Sequence, residues 1–221
     1  MRSAENLGKP RLIVHEHRFR QRSGQPRTLS TPNRRSWIQP RPLGASLGGR
    51  FYVFDDPQPA FWERLRRSMD ALLPYAEERG VRIGFENLYP SNHETIKQLL
   101  AKYSPDQVGV CYDTGHGNIA GDGLDFLDEV KERLLILHLN DNDGTGDQHN
   151  PLFSATVDWE RAAGIIAASS YEKPLSMELS LRQSGFEDSG DFLALAMTTG
   201  TRFAEMVREG RDRDRGEENG L

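Results

Sequence analysis

The sequence predicts an α/β fold with a parallel sheet, a partial (β/α)8 barrel that contains about five of the eight βα units. After residue 58, short apolar runs alternate with segments of helical periodicity, which is typical of parallel sheets built by right-handed crossovers. Four of the apolar runs end in Glu86, Asp113, His138 and Glu178, which are 27, 25 and 40 residues apart. These intervals fit successive βα units with one enlarged loop.

The individual elements follow from apolar spacing and from the residues that end each segment. Leu65, Met69 and Leu73 share one face of the first helix, Gly80 is typical of a helix end, and Pro74 predicts a kink. Residues 11–15 are a candidate fifth strand, and residues 51–54 are a weaker one. The apolar periodicity predicts helices at 59–79, 93–103, 124–134, 158–168 and 189–208, with strands that end at the four residues above.

Charge and composition divide the chain into three parts. Residues 1–50 form an irregular basic segment with a net charge of +9, whereas the remainder carries −14. The low apolar content of this segment predicts that it adds little to the core, apart from one possible strand. We expect a barrel-like domain at 51–208 and a disordered tail at 209–221. Without a signal peptide pattern or an apolar run of about 20 residues, the sequence favours a cytoplasmic protein with no membrane partner.

The four strand ends predict a metal site. The carboxyl ends of parallel strands are where α/β barrels gather their functional groups, so Glu86, Asp113, His138 and Glu178 are candidate ligands of one cation. Three carboxylates and one imidazole suit a divalent metal such as Mn²⁺, Mg²⁺, Co²⁺ or Zn²⁺. Cys111, the only cysteine, lies inside a predicted strand and is expected to be a small buried apolar residue rather than a reactive thiol.

A second group of candidate ligands lies close to the first in sequence. His116 follows the second strand end, and Asp147 and His149 lie in the polar loop after the third. Further cations held there could polarise a carbonyl or activate water for attack on a phosphodiester. Each residue also has a structural reading: strand-end carboxylates are often caps or salt-bridge partners, His93 would be in the first turn of a solvated helix, and His138 could be a core histidine. Four matching positions in four consecutive units favour the cation site.

Five strings of the sequence resemble the xylose isomerase-like TIM barrel superfamily. That group includes sugar isomerases, ketose 3-epimerases, inosose dehydratases and the apurinic (AP) endonuclease IV enzymes of AP endonuclease family 2. The resemblance covers residues 59–182 and implies that the four strand-end residues form the shared metal site on barrel strands five to eight. The strings are, in order, Phe85-Glu86-Asn87, Asp113-Thr114-Gly115-His116, Leu137-His138-Leu139-Asn140-Asp141, Asp147-Gln148-His149 and Met177-Glu178-Leu179.

The resemblance implies catalytic and substrate-binding roles for part of this set. In the epimerase relatives, the two glutamates that match Glu86 and Glu178 exchange protons with the substrate. The residue that matches His116 contacts the substrate, and Asn87 is a second candidate for substrate binding.

The resemblance also implies a second metal site. In the endonuclease relatives, the residues that match His116, Asp147 and His149 hold a further zinc. His15 resembles the histidine that ends strand four in many members and is a further candidate ligand. Strands one to three have no counterpart in the sequence, so the front of the barrel is expected to be missing.

Three functional hypotheses remain. The first is a metal-dependent isomerase or epimerase of a sugar, sugar phosphate or related polyol, which would transfer protons beside a carbonyl of a small sugar-like substrate. The second is an apurinic endonuclease-like phosphodiesterase, which is disfavoured because nucleic-acid binding needs a basic surface and the motif-bearing region is acidic. The third is a truncated, inactive barrel that forms a homo-oligomer through exposed strand edges.

Overall fold

The computed structural model describes residues 13–16, 59–89 and 91–218. The predictions for the basic N-terminal segment, apart from one short strand, and the strand candidate at 51–54 lie outside these residues. In chain order the elements are β1 (Ile13–Glu16), α1 (Pro59–Glu78), β2 (Ile83–Glu86), α2 (His93–Lys102), β3 (Val108–Asp113), α3 (Thr114–Ala120), α4 (Gly123–Val130), a 3-10 helix (Lys131–Arg133), β4 (Leu134–His138), α5 (Trp159–Ala167), β5 (Ser176–Leu179) and α6 (Ser189–Glu218).

The strands pair in parallel, and their order follows the chain from β2 to β5. β2, β3 and β4 form one sheet in that order. β5 joins β4 through a parallel bridge between Leu139 and Met177, in which Leu139 N donates to Ser176 O at 2.9 Å and Glu178 N donates to Leu139 O at 3.1 Å. The four predicted βα units are therefore consecutive neighbours, which confirms the partial barrel.

Strand β1 lies on the far side of β5, and its register places His15 beside Glu178. The resemblance likened His15 to the histidine that ends barrel strand four, which in a complete barrel lies beside strand five, the counterpart of β2; β1 instead pairs with β5, so that placement is wrong. The edge of β5 offers a row of backbone donors and acceptors that a further parallel strand satisfies. Because only the backbone of β1 is described, the role of His15 as a metal ligand stays a prediction.

The main core lies between the strands and the helices that follow them. Tyr112, Leu137 and Met177, on three neighbouring strands, are fully buried and belong to one apolar cluster with Ile166 of α5 and Phe203 of α6. Burial of each large apolar side chain contributes about 1.5–3 kcal/mol. This cluster holds the carboxyl ends of β3, β4 and β5 in fixed relative positions.

Helix α1 packs through a smaller cluster. Its predicted apolar face is only partly buried: Met69 and Leu73 are covered, whereas Leu65 is half-buried. Gly80 follows the helix with a φ of 63°, which agrees with its predicted position at a helix end. The covered residues meet Leu99 of α2, Tyr103 directly after α2, and Val108 of β3.

Helix α6 is longer than predicted, so the expectation of a disordered tail at 209–221 is wrong as far as Glu218. A β-carbon at Gly210 would lie 2.6 Å from that of Ala167 on α5, and Arg211 donates a hydrogen bond to the Tyr171 carbonyl. These contacts hold α6 beyond its apolar part. Neither α6 nor any other described helix is long and apolar enough to cross a membrane.

Helix α3 begins directly after β3, although its sequence gives no helical signal. The Asp113 side chain caps it by accepting a hydrogen bond from His116 N at 2.8 Å. Close packing explains one of its glycines, because a β-carbon at Gly117 would lie 2.4 Å from the Tyr112 hydroxyl oxygen. The cap places His116 in the first turn of α3, beside the strand end that precedes it.

The expectation that His93 is solvated is also wrong. The side chain is buried in the first turn of α2, and its ring is stacked on Phe126 of α4 with 3.9 Å between centroids. The contact with α4 covers this turn of α2. The residues that flank His93 in sequence are polar and gave no sign of its burial.

The inward face of the sheet is open near the middle of β4. Ile136 is 41% exposed, while Leu135 and Leu137 on either side of it are buried. Alternate side chains of a strand point to opposite faces, so Ile136 shares the inward face with its register partner Cys111. A complete barrel fills this face with side chains from all its strands, so the exposure of Ile136 is consistent with a partial barrel.

Candidate functional site

The four predicted strand-end side chains converge on one point. Each offers one ligand atom, and these atoms all lie within 4.8 Å of one another. His138 Nδ1 lies 3.1 Å from Glu86 Oε1 and 2.9 Å from Glu178 Oε2. The register explains this meeting, because Asp113 and His138 are partners on β3 and β4, and the two glutamates lie at the ends of the flanking strands β2 and β5.

Asp113 is completely buried, and its carboxylate is held by neighbouring donors. Asn140 Nδ2 donates to its two oxygens at 3.2 and 3.0 Å, and His116 N donates to Oδ1 at 2.8 Å. Burial raises the pKa of Asp113, although the charge and backbone N–H of His116 and the Asn140 amide act in the opposite direction. A buried carboxylate is costly unless positive charge lies nearby, so a cation at this point would stabilise it.

Asn87 has a different role from the substrate binding that the sequence suggested. Its side chain is completely buried, its Nδ2 donates to Asp113 O at 2.9 Å, and its Oδ1 accepts from Asp113 N at 2.7 Å. This pair of bonds extends the pairing of β2 and β3 beyond the last residue of β2. Asn87 therefore fixes the backbone of Asp113 and has no exposed surface with which to contact a substrate.

The electrostatics at His138 fit a divalent cation. Contact with the Cys111 thiol and with the carboxylates of Glu178 and Glu86 raises the pKa of His138 to about 12. Such a shift reports a concentration of acidic groups around one imidazole. Oxygen and nitrogen donors in this number suit Mn²⁺, Mg²⁺, Co²⁺ or Zn²⁺, so the residues present fit the predicted cofactor.

The predicted second group forms a chain of neighbouring ionisable side chains beside the first. Asp147 Oδ2 lies 2.9 Å from His149 Nε2 and 3.5 Å from His116 Nε2. On its other side, His116 Nδ1 lies 3.8 Å from both Glu86 Oε1 and Asp113 Oδ1. The structure therefore brings all three residues to the site and joins the two groups through His116.

Asp147 sets the protonation of the two histidines around it. Burial lowers the pKa of His116, but Asp147 and Asp113 outweigh burial and raise it to about 9. The hydrogen bond to Asp147 raises the pKa of His149 to about 9. Burial raises the pKa of Asp147, but hydrogen bonds from His116 and His149 outweigh it and hold that pKa below its usual range. Asp147 therefore lies between two histidines whose pKa values are raised, and a second cation could take the place of their extra protons.

The loop that carries Asp147 and His149 is anchored by the buried carboxylate of Asp141. Asp141 Oδ1 accepts from Asn142 N and Val157 N, and Oδ2 accepts from Ala155 N and Trp159 Nε1, all at 2.9 to 3.1 Å. Backbone bonds between Asp141 and Asn150 close the loop.

His149 adopts a left-handed backbone conformation with a φ of 51°, which is unusual for a residue with a β-carbon. Its Nδ1 lies 3.0 Å from the Glu178 carbonyl oxygen, so the ring is held between β5 and Asp147. Strained backbone of this kind is common where a side chain must be aimed at a functional site.

Two residues at the site were not predicted as part of it. Cys111 lies two residues before Asp113, so the period of a strand already places both on one face, but its apolar neighbours suggested a core role. The structure confirms its burial and adds its contact with His138. Asn140 follows His138 by two residues and donates hydrogen bonds to the Asp113 carboxylate. No local sequence pattern predicts this contact.

A family model described as xylose isomerase-like TIM barrel matches residues 33–196. Among curated proteins, the uncharacterized protein y4fM of Sinorhizobium fredii is 36% identical over 157 residues, which cover 69% of this chain and 50% of y4fM. An inosose dehydratase of Lacticaseibacillus casei is 32% identical over 97 residues, or 40% of this chain and 32% of that enzyme.

Among solved structures, a D-tagatose 3-epimerase-like protein superposes with a TM-score of 0.57 at 19% identity. The match covers 72% of this chain and 58% of that one. This structural match supports the barrel fold alone. The chain spans at most about half the length of the curated relatives it matches.

Proposed function

This chain belongs to the xylose isomerase-like TIM barrel family, and we propose that it is a metal-dependent isomerase or epimerase of a sugar, sugar phosphate or related polyol. The names of the inosose dehydratase relative and of the epimerase-like structural neighbour both refer to sugar or polyol chemistry, and they support this substrate class. The reaction we propose is proton transfer at a carbon beside a carbonyl group.

The observation that carries the proposal is the position of the two glutamates. Glu86 and Glu178 approach the same atom, His138 Nδ1, from strands β2 and β5, which are separated by two intervening strands. Two carboxylates that reach one point from opposite sides can face the two sides of a substrate carbon. Epimerisation requires a base on one face and an acid on the other, whereas hydrolysis does not.

The side chains around this point have different roles in the proposed reaction. A divalent cation bound by Glu86, Asp113, His138 and Glu178 would supply the positive charge that polarises a substrate carbonyl. Glu86 or Glu178 removes the proton from the neighbouring carbon, and the other glutamate returns a proton to the opposite face. His116, in the first turn of α3, is assigned the contact with a substrate oxygen; its Nδ1 lies 2.9 Å from the Asn87 carbonyl oxygen and its Nε2 lies 3.5 Å from Asp147 Oδ2, so the substrate would take the place of Asp147 at Nε2.

Hydrogen exchange tests the proposal. The full chain is incubated with Mn²⁺ in D₂O and a panel of ketoses, and incorporation of deuterium beside the carbonyl is followed by NMR. Glu86→Gln and Glu178→Gln keep the side-chain shape while removing the base, so exchange should fall about 100-fold or more. Glu160→Gln, on the exposed surface of α5, is the matched control and should exchange like the wild type. Exchange that is equal in all four proteins would contradict the assignment.

Cleavage of abasic DNA is the second candidate function, because Asp147 lies between His116 and His149 next to the first group and could support a further cation. The same samples are therefore incubated with an oligonucleotide that contains an abasic site. Nicking of the oligonucleotide without exchange into any ketose would favour the phosphodiesterase. Inactivity in both assays would favour the truncated barrel without turnover.

A further inference from the structure

Cys111 belongs to the inward face of the sheet, directly below the four-residue site. It precedes Asp113 by two residues on β3, so the two side chains point to the same face. The register of β2 and β3 makes Cys111 the partner of Glu86. The thiol therefore lies level with the carboxylate of Glu86, one step deeper along β3 than Asp113.

Cys111, Glu86 and His138 form a cation-binding geometry of their own. One ligand atom from each lies within 4.8 Å of the others, the same limit that the four-residue group meets. The two groups overlap in Glu86 and His138 and differ in the remaining donors. The upper group adds the carboxylates of Asp113 and Glu178, whereas the lower group adds a sulfur atom.

The inward face beside the thiol is exposed at Ile136 and carries no side chain at Gly84. Gly84 precedes Glu86 on the same face, and a β-carbon built there would lie 3.7 Å from the Cys111 β-carbon and 3.8 Å from Ile136 Cδ1. Gly84 leaves this position without a side chain, and Ile136 is 41% exposed. An ion can therefore approach Cys111 along the inward face, even though the cysteine itself is only 5% exposed.

We propose that Cys111, Glu86 and His138 form a second cation position that takes a thiolate-seeking divalent ion such as Zn²⁺, Co²⁺ or Cd²⁺. Binding breaks the S–H bond, forms a sulfur–metal bond and releases the proton to solvent. The inference rests on the proposed function, because the two positions share Glu86 and His138. An ion in the lower position engages Glu86 and opposes both Mn²⁺ binding above and proton transfer by that glutamate. An ion in the lower position therefore inhibits the proposed reaction, and Cd²⁺, which is not among the ions that suit the upper position, should inhibit it most clearly.

Cobalt spectroscopy reports the sulfur ligand directly. A thiolate bound to Co²⁺ gives an intense charge-transfer band in the near ultraviolet, whereas carboxylate and imidazole ligands do not. The wild-type chain titrated with Co²⁺ should show this band. Cys111→Ser, which is nearly isosteric, should lack it, and Asp113→Asn should keep it because that change affects only the upper position. Circular dichroism confirms that all three proteins are folded.

Competition between ions gives a second readout. Cys111→Ser should weaken Cd²⁺ binding by about 10-fold or more and leave Mn²⁺ binding unchanged. A missing charge-transfer band, an equal affinity for Cd²⁺ in Cys111→Ser, or loss of the band in Asp113→Asn would overturn the proposal. Hydrogen exchange with Mn²⁺ in the absence of the band would reject only the lower position. The band without any exchange would reject only the isomerase assignment.

Discussion

Replacement of Asp141 by asparagine should destabilise the protein strongly, because this buried carboxylate organises the loop that carries Asp147 and His149. Each of its two oxygens accepts hydrogen bonds from two N–H groups. Whichever oxygen becomes an NH₂ group, two donors lose their acceptor. Hydrogen bonds to a charged group contribute about 1.5–3 kcal/mol each, so Asp141→Asn should lower the free energy of unfolding by about 3–6 kcal/mol.

The chain offers a matched control two residues away. Asp143 is exposed and accepts hydrogen bonds from Thr145, through its backbone N at 2.9 Å and its Oγ1 at 2.6 Å, with Gln148 as a further partner. Asp143→Asn changes the same chemical group in the same loop and should leave the unfolding midpoint nearly unchanged. The comparison separates the effect of the buried network from that of a lost negative charge.

Urea unfolding followed by circular dichroism measures both variants. Trp159→Phe removes one of the four donors and should produce a smaller loss of stability than Asp141→Asn. A change below about 1 kcal/mol in Asp141→Asn would refute the reasoning, because typical substitutions without a buried network reach that size. It would mean that the loop is held by other contacts.

Three further predictions concern backbone strain, a buried tyrosine and close packing. His149→Gly should be more stable than His149→Ala by about 1 kcal/mol in urea unfolding, because both lose the ring but only alanine keeps a strained left-handed backbone; equal stability would contradict this. Burial and a hydrogen bond to a carboxylate raise the pKa of Tyr103 to about 12, so its contribution to stability is present below pH 10 and is lost as the pH rises towards 12. In Tyr103→Phe, the free energy of unfolding should therefore decline less steeply with alkaline pH than in the wild type, and an identical decline would exclude this cause. Gly115→Ala should disrupt the site and reduce Mn²⁺ uptake, because its β-carbon would lie 2.0 Å from Asn140 Oδ1. The control Gly164→Ala on α5 meets nothing within 4 Å and should stabilise the helix by about 0.5–1 kcal/mol. Equal thermal stability of the two variants would argue against the packing explanation.

The sequence predicted the parts of the fold that depend on local periodicity. In the helix predicted at 158–168, Trp159, Ala163 and Ile166 recur at helical spacing, and the structure buries all three on α5. The convergence of the four strand ends was also predictable, because parallel strands bring their carboxyl ends to one edge. Both predictions follow from the spacing of residues in the sequence alone.

Features that depend on contacts between distant segments were not predictable. The extension of α6 beyond Gly210 rests on its contact with Ala167, and the burial of His93 rests on Phe126 of α4. The place of β1 beside β5 is set by pairing across the sheet, which leaves no trace in a segment of four residues. The role of Asn87 was not predictable either. The sequence places its amide beside Glu86 but does not show that it hydrogen-bonds to the backbone of Asp113 on β3.

The central claim is that Glu86, Asp113, His138 and Glu178 form one cation centre, and Mn²⁺ binding measured by electron paramagnetic resonance tests it most directly. The wild-type chain should bind Mn²⁺ tightly, and Asp113→Asn and His138→Ala should each remove that binding. Asp106→Asn, at an exposed carboxylate outside the site, should bind like the wild type. Equal Mn²⁺ binding by the wild type and the two site variants would contradict the account.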